Sequence, residues 1–93
     1  MTKSRAVMTK EISRTVMAVR QAQFSGEVET GYLPSIIESL EQIRERVDAP
    51  KSERARLAGG LGRIVTDDDE FANSKLGLQI LCMLNDFINY DNA

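Results

Sequence analysis

The sequence predicts an all-α protein, a compact four-helix bundle whose neighbours are mostly antiparallel and joined by short connections. Three observations carry that expectation. Apolar residues recur at three- and four-residue spacing through four segments. Helix start and stop residues, among them Gly26, Pro34 and Pro50, bound those segments. Only Phe24, Tyr32, Phe71, Phe87 and Tyr90 are aromatic, so the core must come from Leu, Ile, Val and Met. With 93 residues, 42% hydrophobic and 28% charged, the chain is sized for one folded domain spanning residues 1–93.

The first helix is predicted over about residues 4 to 24, where Met8, Ile12, Val16 and Val19 form an amphipathic stripe and Gly26 supplies the stop. Lys3, Lys10 and Arg14 cluster opposite that stripe and are expected to face water. Met17 and Phe24 fall off it and point to a second contact surface. The second helix, about 33 to 48, follows the repeat Leu33, Ile36, Leu40, Ile43, Val47, with Ile37 widening the stripe.

A third helix is predicted over about 51 to 65. Leu57, Leu61, Ile64 and Val65 give it a bulky face, and Ala55, Ala58, Gly59 and Gly62 a bare one on which another helix could pack closely. Interior glycine costs about 1 kcal/mol relative to alanine, so this helix must depend on tertiary packing. After the acidic turn "TDDDE" comes a fourth helix, about 72 to 89, for which Thr66, Asn73 and Ser74 are candidate N-caps. Leu76, Ile80, Leu81, Met83, Leu84, Phe87 and Ile88 cover about half its circumference, which predicts burial on more than one side or entry into an oligomer interface. Residues 90–93 are expected to fray.

The formal net charge of −2 conceals alternating blocks. Lys3, Arg5, Lys10, Arg14 and Arg20 face the single acid Glu11 in the first block; the second and fourth blocks are acidic and the third is basic. Basic and acidic helices of this order complement each other as neighbours. Histidine is absent, which excludes histidine general-base chemistry, histidine-activated nucleophiles and histidine-ligated zinc within one chain. The lone Cys82 cannot close an intramolecular disulfide and fits a reducing, cytoplasmic setting, and its apolar segment predicts burial. No stretch approaches the roughly 18 apolar residues of a membrane span, and the first residues lack the apolar run of a secretory signal.

Two motifs invite chemical readings. "GGLG" has neither the P-loop spacing nor that of a dinucleotide site, and no strand precedes it. In "DDDE", a calcium loop beginning at Asp67 would need glycine at Ala72 and glutamate at Leu78, so the EF-hand pattern fails. No catalytic residue, metal ligand or cofactor is therefore expected. The expected function is a non-enzymatic protein-interaction module: a cytoplasmic regulator, adaptor or immunity-type protein that binds another protein, itself as a homodimer, or both. Partner contact is assigned to Arg56, Arg63, Asp67, Asp68, Asp69 and Glu70, and helix packing to Ala55, Ala58, Gly59 and Gly62. The alternatives are a nucleic-acid-associated regulator using Arg54, Arg56 and Arg63, set against an isoelectric point of about 5.1, and a weak carboxylate metal-binding protein.

Overall fold

A computed structural model describes residues 4–26 and 31–90. Within them the chain is helical and compact, without strands: α1 Arg5–Ser25, α2 Leu33–Glu45, α3 Lys51–Thr66, a short α4 Asp69–Ala72, and α5 Lys75–Asn89. The radius of gyration, 12.6 Å, matches the roughly 12 Å expected of a globular chain this long.

Local chemistry sets the boundaries. Ser4 caps α1 by accepting from the Val7 amide at 3.3 Å, and Gly26 ends it in the left-handed region at φ 71°, its N–H donating to the Ala22 carbonyl. Pro34 sits in the first turn of α2, where its missing N–H costs nothing. That helix stops at Glu45, short of the predicted 48, and Val47 and Ala49 are buried in the turn that follows. The second half of the chain departs further from expectation, because the stretch read as an acidic turn forms the short helix α4, and the last helix begins at Lys75, three residues after the predicted 72. Asp68 caps α4 by accepting from the Phe71 amide at 3.2 Å, and Ser74 caps α5 by accepting from the Gly77 amide at 3.0 Å. Residues 73 and 74 form the break. A Cβ built on Gly77 would lie 1.9 Å from the Phe71 carbonyl oxygen, so glycine at 77 is what lets α4 fold back onto α5.

α1 packs against α2 and α5, and α3 packs against the same two helices, with α4 wedged between α3 and α5. Met8, Ile12, Val19, Ile36, Leu40 and Ile43 meet Leu61, Val65, Phe71, Ile80 and Phe87 in one core. The wide apolar face of α5 is largely absorbed by these contacts: Ile80, Met83, Leu84 and Phe87 are buried, and Leu78 is the large apolar side chain left exposed on it. Cys82, expected in the core, is exposed, lining a shallow groove between α5 and α1 beside Glu11, Arg14 and Asp86. Charge complementarity holds along the α1–α2 edge, where Arg5 pairs with Asp48 and Arg20 with Glu41. Asp48 holds the Arg5 guanidinium above its ordinary pKa through a hydrogen bond and its charge. These exposed pairs guide the choice of neighbour more than they stabilise it, because solvent screens them.

Arg54 is the unexpected core residue, with 4% of its surface exposed. It lies in phase with Ala58, Leu61 and Val65, so the inward stripe of α3 carries it under the end of α5. There its Nη1 donates to the carbonyls of Phe87 at 2.8 Å and Tyr90 at 3.2 Å, and the guanidinium stands 4.2 Å from the centre of the Tyr90 ring. A cation at a helix C-terminus meets the negative end of the dipole and satisfies carbonyls that the helix cannot. Its Nε has no acceptor among the described residues.

Candidate interaction surface on α3

The outward side of α3 carries most of the residues that the sequence singles out. Arg56 and Arg63, two turns apart, are exposed, with the Arg56 guanidinium 3.9 Å from the carboxylate of Glu53. Between them Gly59 and Gly60 are open to solvent, and a shallow groove of about 410 Å³ runs over Ala55, Arg56, Gly59, Gly60 and Arg63. Of Ala55, Ala58, Gly59 and Gly62, only Ala58 is buried. Among the described residues no atom comes within 4 Å of a Cβ built on Gly59, Gly60 or Gly62, because the inward stripe of α3 is Arg54, Ala58, Leu61 and Val65. The chain's close-approach glycine is Gly77 instead.

The acidic run divides into two pairs. Asp67 follows the last turn of α3 and accepts a hydrogen bond from the Tyr32 hydroxyl, which ties the start of α2 to the end of α3 and raises the Tyr32 pKa above its ordinary value. Asp68 is the α4 cap. These two carboxylates therefore have structural work. Asp69 and Glu70 are exposed in the first turn of α4, where negative charge suits the helix dipole. Among the described residues no three acidic or thiol groups converge on a position that could hold a metal ion, and no helix is long and apolar enough to cross a membrane.

The nucleic-acid alternative loses one of its three residues. Arg54, buried under α5, cannot reach a phosphate, which leaves Arg56 and Arg63 as the basic groups of that face. Neutralising two phosphates gives a salt dependence of slope only about −1.8, far from the steep dependence of a dedicated duplex binder. What the groove offers instead is a flat backbone surface between two cations. A helix laid across it could come closer than side chains usually permit, and acidic residues on that helix would meet Arg56 and Arg63.

Arg56 and Arg63 were legible in the sequence as outward-facing; the burial of Arg54 was missed. Its signal was present in the spacing Arg54, Ala58, Leu61, Val65, a run of four, three and four that is the core stripe itself. No protein-family model, curated protein or solved structure matches the chain.

Proposed function

We propose that the chain is a non-enzymatic protein-interaction module of the regulator, adaptor or immunity type, acting in the cytoplasm through helix faces. In this reading the four long helices form an up-and-down bundle with antiparallel neighbours. Support comes from the closed ring of contacts α1–α2–α3–α5–α1 and from the way opposite ends meet: Tyr32 with Asp67, and Arg54 with Phe87 and Tyr90.

The observation that carries the functional reading is the set of three α3 glycines whose built Cβ positions no atom of the described residues approaches within 4 Å. Each costs about 1 kcal/mol of helix propensity relative to alanine, against the 5 to 15 kcal/mol that typically holds a whole domain together. The described residues make no close contact there in return, so the flat surface is assigned to an external protein, a second copy included. Arg56 and Arg63 flank the contact, and Asp69 and Glu70 extend it. Asp67 and Asp68 support it from within the fold.

The test is partner retention from a lysate of the native host. Arg56→Glu with Arg63→Glu, and separately Asp69→Lys with Glu70→Lys, are expected to release partners held by the unaltered protein while leaving its melting curve in place. If both charge-reversed proteins keep every partner, the assignment fails. A titration with duplex and single-stranded DNA at low salt separates the nucleic-acid reading, which requires binding that Arg56→Glu with Arg63→Glu removes.

A further inference from the structure

The start of α3 and the end of α5 are joined through a residue that lies outside both helices. Tyr90 follows the last turn of α5 with extended backbone, φ −69° and ψ 154°, and yet only 4% of its surface is exposed. Its ring centre lies 6.5 Å from that of Phe87, the two planes 22° apart. Arg54, in the first turn of α3, holds Tyr90 twice: the guanidinium stands 4.2 Å from the ring centre, and Nη1 donates to the Tyr90 carbonyl at 3.2 Å as well as to that of Phe87 at 2.8 Å. The guanidinium itself is incompletely satisfied. Among the described residues its Nε meets no acceptor and no carboxylate forms an ion pair with it, since Glu53 faces Arg46 and Arg56, and Asp48 pairs with Arg5.

A guanidinium keeps its charge in any surroundings, and its removal from water is costly unless its donors find partners. Here two neutral carbonyls, an aromatic face and the negative end of the α5 dipole offset that cost in part. The imbalance is local. Leu61 and Ile80, in the middle of the core, lie about 10 and 15 Å away along α3 and α5 at the helical rise per residue. We infer that Tyr90 is a strap that opens separately from the rest of the fold. Swinging its ring and carbonyl off Arg54 hydrates the guanidinium, Nε included, and releases the last turn of α5 from the first turn of α3, while the middle of the core stays packed. Water on Nε offsets part of what the ring and carbonyl contacts lose, which sets this opening below global unfolding in free energy. The inference does not depend on the proposed function. The two meet at Glu53, which belongs to the α3 turn that the strap holds and whose carboxylate faces Arg56.

The experiment follows the full chain by native-state hydrogen exchange in low urea and by phenylglyoxal labelling of arginines, with the exposed Arg56 as reference for the buried Arg54. The amides of residues 87–89 and the Arg54 guanidinium are expected to react through an opening that depends weakly on urea, because it exposes little surface. They should do so about tenfold or more faster than global unfolding allows. The amides of Leu61 and Ile80 should wait for global unfolding. Two variants tie the opening to the contact between Arg54 and Tyr90. Tyr90→Ala should raise Arg54 labelling about tenfold, and Arg54→Lys, which keeps the charge and loses the planar fork, should speed exchange at residues 87–89 by a similar factor. Each change is read relative to Ile80 exchange in the same variant, which corrects for lost global stability, and circular dichroism melting confirms that both variants fold. Arg54 labelling that only tracks global unfolding overturns the inference, because no separate open state then exists. Unchanged exchange at residues 87–89 in Arg54→Lys also overturns it, because the last turn of α5 then frays independently of Arg54.

Discussion

Two kinds of glycine in this chain have opposite energetic meanings. Gly77 sits where a methyl group would strike the Phe71 carbonyl, so Gly77→Ala forces the backbone of α4 away and should cost about 3 kcal/mol. Chemical denaturation measures that loss directly. Gly59, Gly60 and Gly62 have helical backbone and open space around them, so alanine at any of the three should stabilise by about 0.5 to 1 kcal/mol. The same melt distinguishes the two classes by sign. Arg54→Ala removes a charged donor from two carbonyls and the packing of a buried stem, and should cost about 2 to 3 kcal/mol. The residue scale also fixes an alkaline limit. Burial pushes the Tyr90 phenol up, outweighing the opposing pull of the Arg54 charge. A raised folded-state pKa contributes stability that is fully present below the unfolded value near 10 and is lost as pH rises through the folded value. Stability should therefore decline above pH about 10, and Tyr90→Phe should make the decline shallower in melts taken across that range.

At the scale of elements, the existence and order of the long helices were legible in the apolar periodicity, and the ends of α1 and α3 fell within one or two residues of expectation. Periodicity could not reveal α4: four residues are too few to show a helical repeat, and its fold against α5 depends on a contact between Gly77 and Phe71 that exists only once the chain is folded. The role of the glycines in α3 was equally hidden. Small residues announce that a backbone can be approached and leave open what approaches it; the spacing singled out Ala55, Ala58, Gly59 and Gly62, and the close approach at Gly77 carried no such signal. The acidic run read as one patch because its members are adjacent in sequence, but caps and turns separate adjacent residues, sending Asp67 to Tyr32 and Asp68 to the Phe71 amide. The charge of α3 and the start of α4 can be tested as a unit: reversal at Arg56 and Arg63 should leave thermal stability nearly unchanged, since the ion pair of the exposed Arg56 with the half-buried Glu53 is long, at 3.9 Å.

For the molecule as a whole, the apolar surplus that pointed toward a dimer through the last helix is largely consumed within the chain. The core is closed by α1, α2, α3 and α5, with α4 and Phe71 filling the space between the last two long helices. What remains outside is specific: a shallow, arginine-flanked groove on α3 and the exposed side chains of Met17 and Phe24 on α1. With Gly59 and Gly60 exposed and Gly62 half-buried in its interior, α3 has less intrinsic helix stability than alanine at those positions would give it. The most direct measurement combines stability and partner retention in the triple variant Gly59→Ala, Gly60→Ala, Gly62→Ala. Its melting temperature should rise by about 8 to 15 °C, from about 2 to 3 kcal/mol of added helix propensity, while partners captured from the native host are lost because the groove is filled. A variant that melts higher and keeps every partner would contradict the account.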